Sequence, residues 1–151
     1  MKKIAIIMGS ASDLPVAEEA VKALAEFAVP YEVMVCSAHR TPEDLRSFVS
    51  GARERGFGAL ICIAGLAAHL AGAAAALTTL PVVGVPAASG SLQGLDALLS
   101  TAQMPPGIPV ATVAIGAGRN AALLCVQMLA IEDAGLAMQL ASARERMASG
   151  V

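Results

Sequence analysis

The densest chemistry in the chain lies in Ser37-Ala38-His39-Arg40-Thr41-Pro42. An imidazole, a guanidinium and hydroxyl groups stand together just ahead of a helix start. His39 can give and take a proton near pH 7. Arg40 can hold a phosphate or a carboxylate through two parallel hydrogen bonds. A His-Arg pair on an ordinary surface has no function, so what matters is where this loop sits in the fold.

Other loops carry matching chemistry. Gly9-Ser10-Ala11-Ser12-Asp13 has small residues that let backbone approach a ligand, and it runs into a helix with Pro15 in its first turn. Serine hydroxyls and free N–H groups at a helix start suit a phosphate, and Asp13 can accept bonds from ribose hydroxyls. The plain alternative is a Ser/Asp cap on a turn. Ala64-Gly65-Leu66-Ala67-Ala68-His69-Leu70-Ala71-Gly72 again leaves room beside backbone. Its His69 is either a ligand-facing group or a core histidine bonded to a carbonyl. Pro86–Gly94 brings Ser89, Ser91 and Gln93, and Gly116–Asn120 brings Arg119; each is weak alone.

Strand-length apolar runs alternate with helix-length stretches. Strands are predicted at Lys3–Met8, Tyr31–Cys36, Ala59–Ala64, Val82–Val85 and Val110–Ile115. Helices are predicted at Leu14–Phe27, from a Thr41 cap with Pro42 at its first position to about Arg55, at Ala67–Leu77, near Leu92–Thr101, and in two pieces over Asn120–Met147 broken near Asp133–Gly135. Strict alternation implies a three-layer α/β/α, flavodoxin-like fold with a parallel sheet in the order 2-1-3-4-5. Every loop named above then follows a strand. All of them meet at the sheet's C-terminal edge, where ligands bind in such folds.

Composition limits the alternatives. The chain has 151 residues, enough for one domain spanning its whole length. The net charge is −2 with no Lys/Arg run, and aromatics are only 3%, which argues against nucleic-acid partners. Three scattered cysteines, Cys36, Cys62 and Cys125, with two histidines form no zinc pattern and read as buried thiols in a reducing cytoplasm. Lys2-Lys3 and the short apolar run after them end in a turn with Asp13, which favours a strand over a signal peptide. The apolar stretch Ala59–Val85 is cut by Gly65, Gly72, Pro81 and Gly84 and holds His69, so a membrane span is rejected. Hydrophobic residues reach 56%, which points to surfaces buried against other subunits. Paired carboxylates of glycosidase type and a carboxylate-rich metal cage are both missing.

Several motifs together resemble the N5-carboxyaminoimidazole ribonucleotide mutase (PurE) family. They are Met8–Asp13, Ser37–Pro42, Ala67-Ala68-His69-Leu70, Gly84-Val85-Pro86, Gln103-Met104-Pro105 and Asn120–Leu124, in the family's order over about Lys3–Asp133. The resemblance implies an isomerisation in purine biosynthesis that uses neither cofactor nor metal. The carboxyl group leaves the exocyclic nitrogen as CO2 and is captured by carbon 4 of the imidazole. His39 would be the acid/base; Ser10, Asp13 and Arg40 would bind the nucleotide. Gly9, Ser12, Ser37, Gly65, His69 and Leu70 would line the same pocket. The resemblance also implies a homo-octamer, with a C-terminal helix at about 136–148 reaching a neighbour. Leu66 and Ala71 stand where the family commonly has Gly and Pro; Gly at the first of these gives space or a positive φ. The Gly116–Asn120 loop looks shorter than usual and lacks a common lysine.

Other readings compete. A related carboxylase takes free CO2 and aminoimidazole ribonucleotide; it resembles Ser-Ala-His-Lys and lacks the Ala-Ala-His-Leu loop. A non-catalytic nucleotide-binding paralogue is the alternative of another class. A receiver domain lacks support, because the first loop has no paired acids.

Overall fold

The computed structural model describes residues 1–150. Its first strand, β1 (Lys3–Met8), shows why the sheet forms. Ile4, Ile6 and Met8 enter one core and Ala5 and Ile7 the other, so an unbroken apolar run is buried on both faces. The elements continue as α1 (Leu14–Glu26), β2 (Tyr31–Val35), α2 (Pro42–Ser50), β3 (Phe57–Ala64), α3 (Leu70–Ala75) and β4 (Val82–Pro86). They close with α4 (Leu95–Ala102), β5 (Ala111–Thr112), α5 (Gly118–Ala130) and α6 (Ala134–Ala148). All strand pairs are parallel, in the order β2-β1-β3-β4-β5, as the alternation predicts.

Helices cover both faces. On one, Ala17, Ala20 and Leu24 of α1 and Ala121, Cys125 and Val126 of α5 pack on Ile61, Ile63 and Val83. Burying Ile61 and Ile63 contributes roughly 1.5–3 kcal/mol each. The alanines let α1 and α5 lie close, and at Gly118 an added Cβ would stand 2.1 Å from the carbonyl oxygen of Val16. On the other face, Leu45 and Val49 of α2 and Leu70, Ala71 and Ala74 of α3 cover Ile7, Leu60 and Cys62. Leu45 and Val49 are four residues apart, hence on one helical stripe.

Several boundaries differ from the sequence reading. The fifth strand spans Ala111–Thr112 rather than Val110–Ile115. Pro109 has no N–H for the ladder, and after one further bond from Val113 N–H to the Gly84 carbonyl the chain turns away to Gly116 at φ +73. Helix α2 stops at Ser50, because Gly51 follows and turns lead to Gly56 at φ +84. Helix α3 starts at Leu70, since Ala68 N–H is drawn to the Ser100 hydroxyl at 2.9 Å instead of into a helix. Helix α4 starts at Leu95, after Gly94 at φ +95.

Helix α6 seats Leu136, Leu140 and Ala143 on its own chain and leaves Met138 and Met147 exposed. Cys36, Cys62 and Cys125 are all buried and unpaired, as expected. Burial pushes the Cys125 thiol up to about 12 and the Cys62 thiol higher still. Among the described residues no helix is long and apolar enough to cross a membrane.

Candidate active site

The loop after β2 is folded by its own hydroxyls. Thr41 precedes α2, but its hydroxyl does not cap that helix, contrary to the sequence reading. It reaches back instead: Thr41 Oγ1 accepts from Ser37 N–H at 3.0 Å and donates to the Ser37 carbonyl at 3.1 Å. Ser37 Oγ accepts from Arg40 N–H at 3.1 Å, and Thr41 N–H reaches the Ser37 carbonyl at 2.9 Å. Local bonds of this kind win when a hydroxyl can satisfy backbone nearer than the helix end. The result is a tight turn that presents His39 and Arg40 outward.

The loop after β1 is closed in the same manner. Ser10 Oγ accepts from Ser12 N–H at 3.3 Å and from the Ser12 hydroxyl at 3.0 Å. The Asp13 carboxylate accepts from Ser10 N–H at 3.1 Å. This is the capping box, the plain alternative for this loop, and Ser10, Ser12 and Asp13 also line a cavity. Asp13 is buried, and loss of hydration raises its carboxyl above the usual range, with the Ser10 N–H opposing.

The third loop brings the second histidine. His69 Nδ1 lies 2.8 Å from His39 Nε2, with the rings at 84°. Two bare nitrogens or two N–H groups would repel at that distance, so the shared line holds one proton, carried by either ring. His69 is exposed and bonded to His39, not a core histidine held by a carbonyl. Just before it, Leu66 has φ +55, the left-handed conformation that a glycine there would adopt freely.

These loops enclose a cavity of about 760 Å³ at the C-terminal edge of the sheet. Its lining includes Gly9, Ser10, Ser12, Asp13, Ser37, His39, Arg40, Gly65, His69 and Leu70, every residue that the sequence analysis assigns to the site. Loops after β1 and β2 contribute hydroxyls, Asp13 and Arg40. Loops after β3 and β4 contribute mostly apolar groups: Ala64, Leu66, Leu70, Ala87 and Ala88. The His39–His69 contact joins the two halves. Among the described residues no hydrogen bond or ion pair holds the Arg40 guanidinium, which leaves its donors free for an anion.

Some candidates lie elsewhere. Arg119 sits inside α5 and grips Glu26 of α1 with two bonds of 2.8 Å, so it braces two helices rather than lining the cavity. Ser89 and Gly116 line the cavity, while Ser91 and Gln93 do not. Sequence reasoning missed Pro15, Val16, Ala87 and Ala88, whose types carry no chemical signal. It also missed Ser100, whose hydroxyl holds Ala68 beside His69. No group of three or more His, Cys, Asp or Glu side chains among the described residues is placed to hold a metal ion.

The parallel sheet in 2-1-3-4-5 order, helices on both faces and a cavity at the strand ends define a flavodoxin-like α/β protein, its cavity lying where such folds bind ligands. Comparison with known proteins gives the family. The family model described as AIR carboxylase matches residues 3–150, and the chain belongs to that family. An N5-carboxyaminoimidazole ribonucleotide mutase of Pyrococcus abyssi is 55% identical over 147 residues, 97% of this chain and 84% of its own. One from Methanocaldococcus jannaschii is 56% identical over 144 residues, 95% of this chain and 89% of its own. The crystal structure of Treponema denticola PurE superposes with a TM-score of 0.87 at 30% identity, covering 97% of this chain and 92% of that one. The resemblance drawn from the motifs is thereby borne out.

Proposed function

We propose that this protein is a mutase of purine biosynthesis that converts N5-carboxyaminoimidazole ribonucleotide to 4-carboxy-5-aminoimidazole ribonucleotide. The observation that carries the reading is His39 in contact with His69 inside a cavity that also offers Ser10, Ser12, Asp13 and Arg40. The two mutases described above, similar to this chain over nearly its whole length, support the same reaction.

In this reading Arg40 and the serine hydroxyls take the phosphate, and Asp13 takes ribose hydroxyls. Ser37 keeps the His39 turn closed, Gly9 lines the cavity, and Gly65 leaves room for the Ser89 hydroxyl against its backbone. His39 delivers a proton to the exocyclic nitrogen as its bond to the carboxyl carbon breaks, and CO2 forms. Carbon 4 of the ring then attacks CO2, making a carbon–carbon bond. Neutral His39 removes the proton from carbon 4, which restores the aromatic ring and the starting imidazolium. Atoms and charge balance without an oxidant, reductant or added group. A single group able to work in both directions near pH 7 suffices. His69 shares a proton with His39 and so sets which imidazole nitrogen faces substrate.

The test is an ultraviolet assay with N5-carboxyaminoimidazole ribonucleotide and no added bicarbonate. Product is expected from the wild type, with His39→Asn slower by about 10²–10⁴. Product only from aminoimidazole ribonucleotide plus bicarbonate would establish the CO2-dependent carboxylase instead. Binding without either reaction would establish a non-catalytic paralogue.

We extend the reading to a homo-octamer working in the cytoplasm, its cavities near subunit junctions and the outer face of α6 against a neighbour. Tyr31, Val33 and Val35 flank Ile4, Ile6 and Met8 on one sheet face, yet stay 39%, 41% and 54% exposed. Ile131, Met138 and Met147 are exposed at the other end of the chain. Apolar groups in such number support burial between subunits. Light scattering that finds a monomer would overturn the assembly.

A further inference from the structure

Leu66 combines features that cost a free chain stability. It is 55% exposed, although large and apolar, and its backbone sits at φ +55, where a Cβ is disfavoured. It stands at the cavity wall. The neighbouring loops are built to keep it there. A Cβ on Gly90 would stand 2.8 Å from Leu66 Cδ2, so Gly90 is the gap into which the leucine tip fits. A Cβ on Gly65 would stand 2.4 Å from Ser89 Oγ, so Gly65 accepts Ser89 in turn. The loops after β3 and β4 thus interlock, each with a glycine opposite the other's side chain. Strain held at a cavity by surrounding structure points to a ligand that uses it.

The cavity's two halves say which part of the ligand that is. Charged and hydroxyl groups of the first two loops suit phosphate and ribose. Leu66 belongs to the apolar half with Leu70, Ala64 and Ala87, which suits a flat ring and uncharged CO2. We propose that Leu66 closes the apolar end of the cavity over the imidazole ring and holds liberated CO2 against carbon 4. This rests on the mutase reading for the CO2 role, and on the cavity alone for contact with the ring. Leu66 is then a specificity-determining residue: it decides whether the intermediate is recaptured or lost.

The experiment compares wild type, Leu66→Gly and Leu66→Met. Calorimetry reads affinity for 4-carboxy-5-aminoimidazole ribonucleotide. Product analysis reads how much N5-carboxy substrate ends as aminoimidazole ribonucleotide, after subtracting its spontaneous decay. Leu66→Gly is expected to weaken binding about fivefold, the worth of covering half a leucine. It is also expected to raise the decarboxylated share severalfold, while Tm holds or rises because glycine adopts the positive φ freely. Leu66→Met, close in volume, is expected to restore both readouts. Unchanged affinity in Leu66→Gly would overturn the proposal, as would a sharp fall in Tm, which would make Leu66 a packing residue. If affinity falls but the decarboxylated share stays at the wild-type level, the CO2 role fails and ring contact stands. If the wild type converts nothing yet binds the nucleotide in a Leu66-dependent way, the mutase reading fails and ring contact stands.

Discussion

His39 Nε2 and His69 Nδ1 share one proton across 2.8 Å, from loops 30 residues apart in sequence. The T-shaped rings leave only one nitrogen of each imidazole in that contact. Acid/base work by His39 therefore depends on which ring holds the shared proton. His69→Phe keeps a ring and removes the partner nitrogen. It is expected to cut kcat about tenfold, the worth of one lost hydrogen bond. KM should change less, since the anion-binding loops are untouched. A steady-state comparison at one pH checks this; equal losses in kcat and 1/KM would assign His69 to binding instead.

Asp13 links stability to function with opposite signs. Burial raises its carboxyl above 3.8. An acid with a raised folded pKa stabilises the fold below its unfolded value; that contribution is lost as pH rises through the folded value. At neutral pH the ionised carboxylate is therefore a burden on the ligand-free fold. Asp13→Asn keeps an oxygen for Ser10 N–H and removes the charge. It is expected to raise Tm by roughly 1–3 °C at pH 7, with no gain near pH 3. Nucleotide affinity should fall, because the ribose loses a charged acceptor. Thermal melts across pH check the first part and calorimetry the second.

Much of this was legible in the chain. The unbroken apolar run Ile4–Met8, ended by a turn with Asp13, reads as a strand covered on both faces, and the alternation that follows points to the sheet order. Because each functional loop follows a strand, parallel pairing alone brings His39, Arg40 and His69 to one edge. What was not legible depends on competition between partners. Thr41 and Ser37 find each other before the helix end can claim the threonine. Arg119 stands in a loop-like stretch, yet Glu26, which lies 93 residues away in sequence, holds it with two bonds. Ala68 looks helical by composition, but the Ser100 hydroxyl takes its N–H.

Ser100 gives a prediction of its own. Its hydroxyl accepts from Ala68 N–H at 2.9 Å and donates to the Asp96 carbonyl at 2.8 Å. It ties the His69 loop to α4 without lining the cavity. Ser100→Ala strands a partly buried N–H, at a cost of about 1–3 kcal/mol. Tm should fall by roughly 3–9 °C. If the tie positions His69, kcat should also drop well below the melting range, and Ser100→Thr, which retains a hydroxyl, should recover it. A lower Tm with full activity would limit Ser100 to structure.

Gly118 tests whether the close packing of α1 and α5 supports the site as well as the fold. An added Cβ would lie 2.1 Å from the Val16 carbonyl oxygen and 3.1 Å from its carbon. Both are backbone atoms, so no side chain can swing aside. Gly118→Ala must push α5 off α1 and is expected to cost about 3 kcal/mol, the upper part of the range for overpacking. Gly107→Ala is the control: nothing lies within 4 Å of its Cβ, and only the φ of +100 opposes it. That change should cost roughly 1–2 kcal/mol. Urea unfolding of the two variants gives the difference. Val16 also lines the cavity, next to Pro15 in the first turn of α1, which follows the loop that carries Asp13. Moving it should raise KM in Gly118→Ala, while Gly107→Ala, lying outside the cavity lining, should leave KM unchanged. Equal KM in both variants would separate the helix packing from the site.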